Sequence, residues 1–235
     1  MLVAHRGFRK PNGQENRMVD FKRALKTCKA VEFDIRMTKD KKIIIFHDHN
    51  LKRIANENVT LRKITYPEIK KLPFFKSHKD FLPPLFIEDF VHQISDQYDM
   101  INVEIKPDRY NEQEFAQIHE ALTLLRKTTD AEIIVSSFSV KVLAWIVTLD
   151  ATQFKKGYLF EKAHEINWDL IRQFDYVHPY VGTVAKRSNK RLFKDINLPM
   201  NIWTFKTDDQ VARVKKFYGE DQIHAYISDN PNLKI

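Results

Sequence analysis

The chain has 235 residues, 43% of them hydrophobic, which suits a folded domain of ordinary composition and excludes disorder as its main character. Its formal net charge of +8 favours anionic partners. Lys and Arg are nevertheless interleaved with Asp and Glu, and the densest basic stretch, Lys186-Arg187 to Lys190-Arg191, is too short for a nucleic-acid face, so none is expected as partner.

Strand-like apolar runs alternate with amphipathic stretches along the chain. The strand candidates are Leu2–His5, Val31–Arg36, Ile43–Phe46, Ile101–Ile105, Glu132–Ser136, Gly157–Phe160, Tyr176–His178, Asn201–Thr204 and Ile223–Ile227. Helical spacing covers Met18–Lys29, with Val19, Phe21, Ala24, Leu25 and Cys28 along one side, and Glu112–Thr128, with Phe115, Ile118, Leu122 and Leu125. This alternation predicts parallel strands with right-handed crossovers. Only Thr38-Lys39-Asp40-Lys41-Lys42 separates the second run from the third, too little for a helix, so the third folds back as an antiparallel hairpin. That pairing brings His47 to about the level of Asp34. Setting the hairpin strand aside leaves the strand count of a (β/α)8 TIM barrel, which fills residues 1–235 as a single domain. The stretch 49–84, with Pro67, Pro73, Pro83 and Pro84, reads as a small insertion after the hairpin, and Thr65 with Glu68 as a helix start inside it.

The lone cysteine, Cys28, excludes an internal disulfide framework and a cysteine-rich zinc site; on a helix it reads as a packing residue. The sequence contains neither a transmembrane run nor a signal-peptide pattern, and a cytoplasmic location is expected.

Four strand ends concentrate polar residues: His5-Arg6-Gly7, Glu32-Phe33-Asp34, His47-Asp48 and Glu104-Ile105-Lys106. In a barrel, alternate residues point inward and catalytic groups gather at the C-terminal ends of the strands, so all four face one mouth. Glu32, Asp34 and Glu104 would repel one another there unless a cation neutralised them, and an all-oxygen set suits one hard divalent ion, Mg2+ or Ca2+. Arg6 and Lys106 are fixed positive charges for a phosphate, although Glu104 and Lys106 could equally form an internal salt bridge. His5 and His47 are the proton-transfer groups, one acid and one base.

These same residues resemble the glycerophosphodiester phosphodiesterase family. The shared motifs are His5-Arg6-Gly7, Glu15-Asn16, Glu32-Phe33-Asp34, Thr38-Lys39-Asp40, His47-Asp48 and Glu104-Ile105-Lys106, with weaker likeness at Ser136-Ser137-Phe138, Trp203-Thr204 and Ser228-Asp229-Asn230-Pro231. The resemblance implies release of sn-glycerol 3-phosphate and an alcohol from deacylated phospholipids. It implies His5 and His47 as the acid–base pair, Glu32, Asp34 and Glu104 as metal ligands, Arg6 and Lys106 as phosphate binders, and Trp203 as an apolar wall beside the glycerol. The partner is then a small-molecule substrate, and self-pairing as a homodimer stays open. The sequence departs from the family pattern at Arg17, where Thr is usual, and at His224-Ala225-Tyr226-Ile227, where Asp-Gly precedes the apolar pair. Ala225 and Tyr226 are expected to narrow the barrel mouth. Alternative readings are a phosphodiester-sensing relative of low turnover and a lysophospholipase D or phosphoinositide specificity. The lipid readings need an apolar channel, for which Leu72-Pro73-Phe74-Phe75 and Phe81-Leu82 are candidates, unless these fill the insertion's own core.

Overall fold

The computed structural model describes residues 1–235. Its strands are β1 (Leu2–His5), β2 (Ala30–Met37), β3 (Ile43–Ile45), β4 (Met100–Ile105), β5 (Glu132–Ser137), β6 (Lys155–Phe160), β7 (Tyr176–Pro179), β8 (Met200–Phe205) and β9 (Ile223–Ser228). All nine expected strands are present. β1 pairs in parallel with both β2 and β9, so the eight strands other than β3 close into a parallel barrel. β3 is the antiparallel exception, running back along the top of β2 with Ile45 opposite Ile35 and Ile43 opposite Met37. The fold is the TIM barrel expected from the alternation.

The hydrophobic residues partition by strand face. Outward residues such as Phe33, Ile35, Val103, Ile105 and Val135 join the large core between barrel and helices. Inward residues Val3, Ala30, Met100, Ile134, Ala225 and Ile227 form a separate cluster that plugs the barrel interior. The helix Glu112–Thr128 starts on a capping box between Asn111 and Glu114 and buries Phe115, Ile118, Leu122 and Leu125. The first helix, Met18–Ala24, is shorter than its sequence pattern, and Val19 is exposed, so Val19 does not belong to the packed face; Leu25, in the turn that follows, and Cys28, just beyond it, pack against the core. A helical segment without a sequence counterpart above, Phe86–Val91 continuing through His92–Ile94, covers the barrel with Phe86, Phe90 and Val91. No helix is long and apolar enough to cross a membrane.

Between β3 and this segment lie short helices, among them Tyr66–Lys71, capped by Thr65 and Glu68 as expected. They enclose a core of their own with Ile44, Phe46, Leu51, Leu61, Tyr66, Ile69 and Phe75, against which Leu72, Phe74, Phe81 and Leu82 pack.

Low in the barrel, His178 is fully buried, its Nε2 3.0 Å from Asn201 Nδ2. A Cβ on Gly157 would lie 2.5 Å from that Nε2, so only glycine lets the ring cross there. Burial, helped by His224, pushes the His178 imidazole down to about 3 from an ordinary 6.5. Below pH 6.5 the unfolded chain therefore binds a proton that the folded chain refuses. The stability tied to His178 is whole above that pH and is lost as the pH falls toward about 3. Urea unfolding should show stability falling below about pH 6.5 by up to about 1.4 kcal/mol per pH unit, and His178→Gln should flatten that slope. An unchanged slope in the variant would remove His178 as the cause.

Candidate active site

The barrel's registers assemble the site. β1 and β2 pair His5 with Glu32, and β2 and β4 pair Asp34 with Glu104. Phe46 N–H donates to Asp34 O at 2.9 Å, so the hairpin delivers His47 to the same level, as its short turn predicted. After β1 the chain turns at Gly7, whose φ of +77° and whose approach to Asp20, 2.8 Å from a built Cβ, both require glycine. His5, Arg6, Glu32, His47, Glu104, Lys106 and Trp203 all line one cavity of about 370 Å3 at the C-terminal mouth, and Asp34 lies beneath it, fully buried.

Each histidine is held by an aspartate. His5 Nδ1 is 2.5 Å from Asp229 Oδ1, and Arg9 clamps the other oxygen of Asp229 at 3.0 Å. His47 Nδ1 is 2.7 Å from Asp48 Oδ1, and Arg53 holds Asp48 Oδ2 at 2.7 Å. A carboxylate only accepts, so Nδ1 carries the proton in each pair and Nε2 keeps the free lone pair. His5 Nε2 faces the carboxylates, 3.8 Å from Glu32 Oε2. Burial, then Arg6, lowers the His5 imidazole from its ordinary value despite Asp229. Burial would raise Asp229 and Asp48, but their histidine partners, with Arg9 and Arg53 respectively, hold both below the usual carboxylate range. Arg53 belongs to the insertion and also binds both oxygens of Glu15, at 3.0 and 2.7 Å, while Glu15 holds Arg6 at 2.9 Å. The insertion thereby braces the first strand end.

Glu32, Asp34 and Glu104 offer ligand oxygens that all lie within 4.8 Å of one another. Burial, then the neighbouring carboxylates, drives the Glu32 carboxyl well up, and burial raises Glu104 as well. Asp34 goes the other way: the cations Arg6 and Lys106 outweigh its burial and hold it well below the ordinary range. Asp34 Oδ1 accepts no hydrogen bond and has Lys106 Nζ 3.4 Å away. A buried, all-oxygen cluster with a charge conflict and an orphaned lone pair fits a hard divalent ion. The Glu104–Lys106 salt bridge weighed above does form, at 2.7 Å, without taking Glu104 out of the cluster.

Trp203 stands at the rim with its Nε1–H donating to His178 O at 2.8 Å, and Phe138 and Tyr180 pack against it at 5.4 and 5.3 Å. One expectation needs correction. Tyr226 does not narrow the mouth: it points outward, packs on Phe205 at 5.3 Å and belongs to the outer core. Ala225 lies down in the barrel plug, and of the altered quartet only Ile227 reaches the cavity. Of the two readings of the insertion's apolar residues, the structure bears out the core: Leu72, Phe74, Phe75, Phe81 and Leu82 pack in the insertion's own cluster, and no residue of 49–84 lines the cavity. Arg17 stands at the N-cap of the first helix without a side-chain capping bond; its guanidinium forks onto Asp20 at 2.7 and 3.0 Å, reaches Asp80 at 3.0 Å and lies over Phe81. It ties insertion to barrel outside the cavity.

Asp48 stood next to His47 in the sequence and could have been read as its partner. Asp229 could not, because 224 positions separate it from His5. Asn16, whose amide donates to Asp34 at 2.8 Å, stood out only through the resemblance, and Arg9 and Arg53 carried no signal.

A (β/α)8 barrel whose mouth gathers two buried cations, three buried carboxylates and two aspartate-held histidines has the groups that a phosphate-ester hydrolase needs. The sequence pattern of the glycerophosphoryl diester phosphodiesterase family matches residues 5–233, and the chain belongs to that family of phosphoric diester hydrolases. It is 28% identical to a glycerophosphodiester phosphodiesterase of Caldanaerobacter subterraneus over 100% of this chain and 96% of that one. It is 27% identical to an uncharacterized protein of Mycoplasma genitalium over 97% and 95% of the two chains. Among solved structures, an Oleispira antarctica phosphodiesterase in complex with the product sn-glycerol-3-phosphate superposes with a TM-score of 0.77 at 22% identity, covering 98% of this chain and 93% of that one. The Thermotoga maritima glycerophosphodiester phosphodiesterase gives 0.73 at 22% identity over 98% and 94%. These two likenesses establish the shared barrel.

Proposed function

We propose that the protein hydrolyses glycerophosphodiesters, such as glycerophosphocholine and glycerophosphoethanolamine, to sn-glycerol 3-phosphate and an alcohol. In this reading residues 1–235 act as one barrel domain with 49–84 inserted. His5 and His47 are the acid–base pair, Arg6 and Lys106 bind the phosphate, and Trp203 lies against the glycerol. A single divalent ion, Mg2+ or Ca2+, held by Glu32, Asp34 and Glu104, supplies charge neutralisation for the phosphate oxygens. The observation that carries the reading is the pair of His–Asp couples opening on one cavity above three buried carboxylates.

With Nδ1 tied to its aspartate, each imidazole offers Nε2 to the cavity. One takes a proton from the attacking oxygen, and the other gives one to the departing alkoxide. Asp229 and Asp48 fix the tautomers and stabilise whichever ring becomes charged. The test is release of glycerol 3-phosphate from glycerophosphocholine and glycerophosphoethanolamine with Mg2+, Ca2+ or EDTA. Metal-requiring release supports the reading, and no release by folded, metal-binding protein rejects it.

Asp229 is a positioning residue in this scheme. Asp229→Asn keeps an acceptor for Nδ1–H but removes the charge that favours the His5 imidazolium. We expect kcat to fall about tenfold to a hundredfold with KM little changed. The limb of the pH–rate profile that His5 sets, the acid limb if it is the base and the alkaline limb if it is the acid, should move down, because Asp229 works to raise the His5 imidazole. A lower kcat with both limbs unmoved would reduce Asp229 to a structural support.

A further inference from the structure

Beside the catalytic cavity lies a second, open basin of about 620 Å3, walled by polar residues, glycine and proline, that includes Arg9, Lys10, Arg53 and Lys206 with Glu15 and Asp229. Arg9 and Lys206 line both cavities, so the basin begins where the catalytic mouth ends. Its two acids are already engaged: Glu15 by Arg6 and Arg53, Asp229 by His5 and Arg9. Lys10 and Lys206 have no carboxylate partner, and Arg9 spends only one nitrogen on Asp229. Lys10 is held in place by its backbone, which pairs with Gln14 in a small antiparallel bridge at 2.9 Å. The basin therefore presents standing positive charge with nothing in the chain to balance it.

Resting on the glycerophosphodiesterase reading, we infer that this basin selects substrates whose leaving alcohol carries a second phosphate. A neutral or cationic head group gains nothing from two uncompensated lysines beside the part-free Arg9 guanidinium, whereas an anionic one gains charge-assisted hydrogen bonds. The reach is right. Two phosphates on the end carbons of one glycerol are separated by six bonds, about 7 Å, since three backbone bonds span roughly 3.8 Å. Arg9 stands two short contacts from the His5 ring, 2.5 and 3.0 Å through Asp229. Arg9 and Lys206 line the histidines' own cavity as well as the basin, so a second phosphate about 7 Å from the first can reach them, with Lys10 further into the basin. In such a substrate, water oxygen bonds to the phosphorus at the histidines and the bond from that phosphorus to the central-glycerol oxygen breaks. That oxygen leaves with a proton, and the alcohol departs with its other phosphodiester intact.

The test compares bis(glycerophospho)glycerol with glycerophosphoglycerol, which differ by one glycerophosphate. After halving for the two equivalent ends of the larger molecule, kcat/KM should favour it about fivefold to tenfold at low salt, and the preference should shrink as salt rises. The Lys10→Gln, Lys206→Gln double variant should bring the ratio close to one. An enzyme active on both diesters with no preference overturns this inference and leaves the diesterase reading standing. If neither diester is cleaved, the diesterase reading stands or falls on glycerophosphocholine and glycerophosphoethanolamine, and the basin is judged by binding. Calorimetry with the His47→Ala protein should then show the larger diester binding about fivefold tighter, and equal affinities would overturn the inference.

Discussion

His47→Ala should lower metal-supported hydrolysis of glycerophosphodiesters by about 10²- to 10⁴-fold, the usual worth of a positioned acid or base. His5→Ala should do the same, and the double variant should lose little more than either single one, because in the proposed scheme both imidazoles serve one proton-transfer sequence. The two variants differ in stability. The His47 side chain is about a third exposed, and its partner Asp48 keeps Arg53 when the ring is gone. His5 is buried, and its loss leaves Asp229 with an unanswered oxygen in a mostly closed site, at a cost of about 1–3 kcal/mol. His47→Ala is therefore the cleaner probe, measured as kcat/KM beside a thermal melt. A variant that melts like the parent and keeps its rate to within a few-fold would take His47 out of the chemistry.

Much of this geometry was legible in the sequence, for a physical reason. Strand ends where a buried barrel should be apolar but reads Glu-x-Asp or Glu-x-Lys are local anomalies, and side-chain alternation alone says that each pair shares a face. The short Thr38–Lys42 link likewise forced a hairpin, and the register of β2 on β3 followed from its length. What stayed hidden was nonlocal or depended on facing. Tyr226 and Ala225 are neighbours on β9, yet one faces the helices and the other the barrel plug, and an irregular register between β8 and β9 makes that end hard to phase by counting. Arg53 sits in a segment whose periodicity is poor, so nothing local marks it as the brace between Glu15 and Asp48. The segment Phe86–Val91 escaped because a wide helical turn does not repeat at 3.6 residues.

Removing the divalent ion should cost the protein thermal stability as well as activity. Glu32, Asp34 and Glu104 crowd their oxygens within 4.8 Å in a buried site, and a bound ion relieves a repulsion that the unfolded chain does not feel. At a free ion concentration about a hundred times its dissociation constant, binding to the folded state alone adds about 2.7 kcal/mol. For a chain of this size that raises the melting temperature by about 5–10 °C over the EDTA-treated protein. Glu32→Gln and Asp34→Asn should both abolish the shift and reduce turnover at least a hundredfold, but they should separate in the ion-free state. Burial and its neighbours already push the Glu32 carboxyl toward its neutral form, so an amide there removes repulsion and leaves the ion-free protein as stable as the parent or more so. Asp34 is kept ionised by Arg6 and Lys106, and an amide takes a carboxylate partner from each, leaving Arg6 with Glu15 and Lys106 with Glu104, so Asp34→Asn should melt lower than the ion-free parent. Scanning calorimetry with Mg2+, Ca2+ and EDTA reads all of these signs at once. A melting temperature indifferent to both ions, together with hydrolysis that survives EDTA, would take the three carboxylates out of metal binding and leave them as partners of Arg6 and Lys106 alone.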